Sequence, residues 1–585
     1  MRNWNLSSLY EGFNDKYYHD FEVLSKKIDD FIKLINQKEN LEQIVFLETT
    51  LKLQEEISIL GRTLGAFISL TNATNITDST SLSESSKLSN TYRKSTKEEV
   101  IFSRYLEHVD LEKLAKQSPL IKKYLFNLTN TKTNSKYLLS EKEEILYAKL
   151  SELSSSSWSR IQSLSTSNLE VKCNSKTYTL SQLRNMAYHL DPLVRKQAYK
   201  AELKGYESIE DQVALALTNI KREVKLMCEL RGYKDPLEKT LLQSKMSKAT
   251  LDAMISSMQD YKKYFEMYLQ AKAKYLGYKK GLPFYELFAS CGKLETTYTA
   301  DSAISLIVKA FNGYSQTLGD YAQKAFDKEW VDFYPAKGKR GGAFCSNLPQ
   351  IKESRILTNF DGSLSDCLTL AHELGHGYHG EIISKNSPLH WSYPMPLAET
   401  ASIFCEAIVN KYLLNDITNP AEKLSILENS IQDATQVIID ILSRYLFEQN
   451  VFEHATGPIS ATQMKAMMLD AQEQTYGKGL DPKFKHPYMW LNKGHYYSAN
   501  LNFYNFPYAF GLLFGKGLFA QYLTKPQVFK KQYDNLLSLT TKASVEDVAF
   551  SMGIDVTKKD FWCASLDLIK EDILEVIQLF ETCKK

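Results

Sequence analysis

Apolar residues recur three and four positions apart along most of the chain, as at Phe21, Leu24, Ile28, Phe31, Ile32 and Ile35. That spacing gathers them on one helix face, and it is far commoner here than the every-other-residue alternation of a strand, so the pattern predicts a mainly α fold. Two segments break it. In Leu169 to Thr179, short alternating runs flank Asn174-Ser175 and predict a β-hairpin, followed by a helix starting near Ser181. From Val331 to Phe344, Pro335, Gly338, Gly341 and Gly342 exclude a helix and predict β-type backbone. The serine-rich stretches Ser79 to Ser95 and Ser151 to Ser167 carry regularly placed leucines, so they are expected to be polar helix faces rather than linkers. At 585 residues the chain exceeds what one growing core accommodates. The hairpin is a candidate junction, and we expect an N-terminal helical region, residues 1–195, followed by a second region, residues 196–585.

Charge narrows the partners. The 71 Lys+Arg nearly balance 69 Asp+Glu, a net charge of +2, which favours neither nucleic acid nor an anionic membrane surface. Met1 to Leu6 lacks the basic and apolar regions of a secretory leader, and no apolar run approaches a membrane span, so the expected location is cytoplasmic. Eight dispersed cysteines without a C-x-x-C pair read as reduced thiols, not as a disulfide framework or thiolate metal cluster.

The chemistry is concentrated at His372-Glu373-Leu374-Gly375-His376. Leu368, Ala371, Leu374 and Tyr378 give this segment a helical period, with Ser363 or Ser365 available as the N-cap. Residues four apart share a helix face, so His372 and His376 can reach one Zn²⁺, while Glu373 can reach an attacking water as general base. A catalytic zinc needs a third protein ligand. An H-E-x-x-H-x-x-G-x-x-H extension is excluded, because His379 and Ile382 stand where a glycine and a histidine are required. A glutamate on a second helix remains, and Glu399 supplies it, with Pro396 suited to that helix's first turn. Glu406, two turns later, and His379, one turn past His376, are candidates for orienting a ligand imidazole; a solvated glutamate and a core histidine are the plainer readings.

These residues resemble the oligoendopeptidase F branch of the thimet oligopeptidase family. Thr369 to His379, Ala398 to Ser402, the loop Gly338 to Phe344 and the region His495 to Phe510 all look like that branch and keep its order; Trp4 to Tyr10 and Asp191 to Lys196 extend the likeness over nearly the whole chain. The resemblance implies a two-lobed helical zincin of the gluzincin type, with a deep substrate channel and a small β element near the active site. It also implies one zinc per chain and cleavage of oligopeptides rather than folded proteins. It further assigns His495, Tyr504 and Tyr508 to the scissile carbonyl, and Gly341 and Gly342 to a loop whose backbone lines the channel. Pro507 stands where the thimet branch carries a further tyrosine.

The expected function is therefore zinc-dependent endopeptidase action on short oligopeptides, with no nucleic-acid or membrane partner; the sequence is silent on oligomeric state. Two alternatives stay open: a metallocarboxypeptidase, for which no carboxylate-binding basic residue stands out, and a catalytically silent peptide-binding zinc protein, which would need a lost base or a closed metal site.

Overall fold

The computed structural model describes residues 3–292 and 297–583; Met1 and Arg2, the head of the segment read for a leader, lie outside the described residues. Helices dominate, as the apolar period predicts. The hairpin forms where expected: β1 (Glu170–Cys173) pairs antiparallel with β2 (Lys176–Thr179). Asn174 and Ser175 take positive φ at its turn, and Thr179 caps the next helix, which begins at Leu180. Of the second irregular region only its ends are strand, β3 (Val331–Asp332) and the first residue of β4 (Phe344–Leu348), while residues 333–343 form a loop; the two strands flank β5 (Glu353–Leu357) in the order β3-β5-β4. β3 runs parallel to β5 and β4 antiparallel, leaving β4 on a sheet edge. Ser79 to Arg93 and Ser155 to Ser167 are helices, as their leucines predict.

Packing divides the chain into two compact units, each assembled from three separated segments: residues 1–141, 296–413 and 522–552 in the first, and 142–295, 414–521 and 553–585 in the second. The first unit holds the three-stranded sheet and the helices α1 (Gln43–Thr74), α2 (Gln316–Asp327), α3 (Leu364–Ile383) and most of α4 (Thr400–Asp416). One of its cores joins Trp4, Tyr10, Tyr17 and Phe67 to Leu348 and Leu357 of the sheet. The second unit holds the hairpin and α5 (Ile441–His454), with a core around Trp490, Tyr496, Tyr497, Phe447 and Met468. No helix among the described residues is long and apolar enough to cross a membrane.

Candidate metal centre and flanking residues

α3 starts at a capping box: Ser363 Oγ accepts from the Asp366 N–H at 3.1 Å, and Asp366 Oδ2 accepts in return from the Ser363 N–H at 3.1 Å. Ser363, rather than Ser365, is therefore the cap. Three glycines interrupt the helix, each costing up to about 1 kcal/mol of helix propensity. Each meets a neighbour where a side chain would not fit. A Cβ on Gly375 would lie 2.6 Å from the Ala401 carbonyl oxygen and the Ser402 Cα; one on Gly377, 1.9 Å from Tyr321 Oη on α2; one on Gly380, 2.1 Å from Asn347 Oδ1 on β4. The helix is thus pressed against three elements at once. The Gly375 contact is with backbone, so it cannot be relieved by a side-chain rotation. Gly375→Ala is expected to separate α3 from α4, costing about 1–3 kcal/mol of stability together with metal affinity; thermal denaturation and chelator competition on the purified variant check both.

That close approach brings three side chains together. His372 Nε2 lies 3.1 Å and His376 Nε2 3.3 Å from the same Glu399 oxygen, Oε2. All three ligand atoms fall within 4.8 Å of one another, the one such His/Cys/Asp/Glu group among the described residues. A tetrahedral zinc with ligand bonds of about 2.0–2.1 Å has edges of roughly 3.3–3.4 Å, so the donor set and its spacing fit a His₂Glu centre. Glu399 sits on the turn just before α4, not inside a helix; Pro396 opens a separate short turn, Met395–Leu397. From that turn the carboxylate is held by the first turn of α4, with Ser402 Oγ donating to Oε2 at 2.7 Å.

Burial opposes charge on these groups, and their pairing overcomes it. The imidazoles hold the Glu399 carboxyl far below the usual range, and the Glu399 and Glu406 carboxylates hold His372 up to about 10. A ligand imidazole must be unprotonated, so cation binding displaces the His372 proton, and apparent affinity should rise with pH by up to about tenfold per unit across the neutral range. Affinity falls on acidification. In the cation-free fold the sign is opposite: the raised pKa stabilises fully below the ordinary histidine value, and this contribution fades as pH climbs through about 10. Chelator competition and thermal denaturation at several pH values read the two trends.

Glu373 is 7% exposed, and burial pushes its carboxyl upward, partly offset by His376 and His372. The backbone N–H of Cys345 on edge strand β4 also works against that upward shift. Glu406 Oε2 lies 3.4 Å from His372 Nδ1, the nitrogen facing away from Glu399. His379 is fully buried; its Nε2 meets Thr540 Oγ1 at 2.8 Å, and its ring stacks on Tyr393 at 4.4 Å and 8°. Thr540 Oγ1 donates to the Leu537 carbonyl, so Nε2 of His379 carries the hydrogen in this contact. His379 therefore touches its surroundings as a packed core residue, and burial depresses it to about 3. Gly341 and Gly342 lie exposed in the loop before β4, with no atom within 4 Å of an added Cβ. Gly342 has φ +79°; Asn359 Nδ2 donates to its carbonyl at 2.8 Å, and the Arg340 N–H donates to Ala73 O at the end of α1 at 2.9 Å.

The second unit groups the remaining candidates. The His495 and Tyr504 ring centroids are 5.9 Å apart, those of Tyr504 and Tyr508 5.7 Å. His495 opens from a short turn, Gly494–Tyr497, anchored by buried Tyr496 and Tyr497, whose hydroxyls donate to the Arg444 and Trp490 carbonyls at 3.3 Å. Burial, then repulsion from Arg444 and Lys493, depresses the imidazole to about 4, leaving it neutral at physiological pH. Arg444 in turn pairs with Asp440, in a π-helical turn that leads into α5. Pro507 falls in the first turn of the helix Phe506–Thr524, where a missing N–H costs nothing.

Residues 185–568 match the family model for peptidase family M3, and residues 106–170 match the model Oligopeptidase F. The chain belongs to peptidase family M3. Among M3-like relatives, it is 22% identical to Group B oligopeptidase PepB of Streptococcus agalactiae, over 81% of this chain and 80% of that protein. It is 23% identical to oligopeptidase PepF of Bacillus subtilis over 82% and 72%, and 23% identical to an oligoendopeptidase F homolog of Borreliella burgdorferi over 99% and 98%. In fold it matches a peptidase from Chlamydophila abortus with a TM-score of 0.83 at 20% identity, over 99% of this chain and 98% of that one. It also matches oligoendopeptidase-F from Enterococcus faecium with a TM-score of 0.70 at 15% identity, over 96% and 100%.

An M3 chain is a metallopeptidase, and its family supplies the reason for a His-His-Glu cluster beside a buried carboxyl. What the sequence reading missed in this M3 chain is the packing around the cluster: Asn347, Tyr393 and the three glycines of α3. Glycine at 375, 377 and 380 in an otherwise helical run was the available signal.

Proposed function

We propose that this M3 metallopeptidase is a zinc-dependent endopeptidase of short oligopeptides, with His372, His376 and Glu399 as metal ligands and Glu373 as general base. The observation that carries the reading is the spacing of the three ligand atoms, 3.1 and 3.3 Å across the Glu399 edges, with Glu373 buried one residue from His372. A zinc held there supplies a Lewis acid that polarises the peptide carbonyl and acidifies water. Glu373, whose basicity burial raises, takes a proton from the attacking water and returns it to the leaving amine. Glu406 accepts from His372 Nδ1 and keeps Nε2 directed at the metal.

His495, Tyr504 and Tyr508 are assigned to the carbonyl oxygen as hydrogen-bond donors; a neutral imidazole can donate without carrying charge to the site. The exposed, unobstructed backbone at Gly341 and Gly342 suits main-chain pairing with a peptide, a sequence-tolerant mode. The names of the curated relatives support oligopeptides as substrates and cleavage within the chain. By role, residues 1–195 form the N-terminal helical region and residues 196–585 the catalytic region, and the cytoplasm is the proposed location. The test is an internally quenched oligopeptide blocked at both ends. Zinc-loaded protein should cut it internally and chelated protein should not. Trimming of an unblocked peptide alone would favour a carboxypeptidase, and cleavage of neither a silent binding protein.

A further inference from the structure

Two of the three candidate ligands are fixed to each other by being on one helix; the third is not. The distance from Glu399 to the histidine pair depends on how α3 is seated against the segment that precedes α4. One side chain reaches both. Asn347, the fourth of the five residues of β4, donates from Nδ2 to the backbone carbonyl of His376 at 3.0 Å, and its carboxamide also faces the hydroxyl of Tyr393, six residues before Glu399. On its other side, Oδ1 accepts from Ser354 Oγ at 3.3 Å and from Cys345 Sγ at 3.6 Å, and Ser354 Oγ is 3.0 Å from Tyr321 Oη on α2.

The same carboxamide occupies the space left by Gly380, where a Cβ would come within 2.1 Å of Oδ1. Tyr321 fills the space left by Gly377 in the same way. Tyr393 is fixed from a second direction by its stack on His379, and it senses the Glu399 charge. The network thus runs from the sheet to a ligand's own backbone and to the chain that delivers the third ligand. An α-helical carbonyl already accepts from the N–H four residues on, so Asn347 is not needed to satisfy His376; its bond adds direction, not satisfaction.

We propose that Asn347 is a positioning residue for the metal centre: it sets the seating of α3 against the Tyr393–Glu399 segment and so fixes the two edges of the ligand triangle that meet at Glu399. The role rests on the metal reading above, and it concerns affinity rather than chemistry. Partners that orient ligands typically account for about 10–100-fold in metal affinity.

The test compares wild type with Asn347→Leu, which keeps the branched outline but is bulkier and donates nothing, and Asn347→Ser, which is smaller and avoids that added bulk if the leucine variant folds poorly. Zinc affinity is measured by competition with a chromogenic chelator, and the thermal midpoint is measured on each metal-stripped protein. The expected result is a loss of zinc affinity of about 10-fold or more in both variants, with metal-stripped midpoints within a few degrees of wild type. A merely structural asparagine gives the reverse, a lowered midpoint and affinity within about twofold of wild type, and that result overturns the proposal. Wild type that binds no zinc overturns the metal reading and this role together, whereas tight wild-type binding with unchanged variants overturns the role of Asn347 alone.

Discussion

Glu373→Gln is expected to retain its zinc and lose about 10²–10⁴-fold in kcat. The substitution preserves shape, and its amide oxygen can still face the Cys345 N–H, so the packing of β4 against α3 should be kept. Only the ability to take a proton is removed. Burial is what makes the loss large: it raises the basicity of the carboxyl above that of an ordinary glutamate, and glutamine offers no substitute. Because Glu373 is not among the three atoms that face one another, metal content and KM should change little, and the drop should appear equally in kcat and kcat/KM. Steady-state kinetics with metal analysis on the same samples checks this. A variant that loses zinc in proportion to activity would place Glu373 among the ligands instead.

Glu399→Ala should act on the other side of that division. Structural zinc sites are worth about 10–16 kcal/mol in total, so one ligand in three or four carries roughly 3–5 kcal/mol, or about 10²–10⁴-fold in affinity. Removing Glu399 also strips His372 and His376 of the carboxylate that both imidazoles share. His372 should then titrate lower, held up by Glu406 alone. The expected outcome is a protein that folds, binds zinc weakly, and regains at most part of its activity in excess zinc. Glu399→Asp should recover little, since an arm shorter by one methylene draws the oxygen back from the imidazole nitrogens it now faces at 3.1 and 3.3 Å.

How far this site was legible in the sequence follows from how local each feature is. His372, Glu373 and His376 lie on one helical turn, where spacing alone determines which side chains share a face, and the cap at Ser363 is equally local. The hairpin around Asn174-Ser175 was legible because its turn demands particular residues. Glu399 was readable as a residue but not as a position, because a turn before a helix and the helix's first turn differ by one or two residues of backbone that apolar spacing does not register. Asn347 was not legible: nothing in Cys345-Ser346-Asn347 marks a carboxamide that reaches a helix 29 residues later. Nor was the assembly of each unit from three separated segments, since those pairings are made in space by cores such as that joining Trp4 to Leu348 and Leu357. His379 shows the converse. Its motif position suggested a role toward the ligands, whereas full burial between Thr540 and Tyr393 gives it a packing role.

The claim on which the rest stands is that one zinc sits among His372, His376 and Glu399 with a position left for water. Crystals of zinc-loaded protein, measured on both sides of the zinc absorption edge, test it directly. The account predicts a single anomalous peak per chain, about 2.0–2.2 Å from His372 Nε2, His376 Nε2 and a Glu399 oxygen, with a non-protein fourth ligand. A peak at another set of side chains, a fourth protein ligand closing the site, or zinc-loaded crystals with no peak at these residues would contradict it.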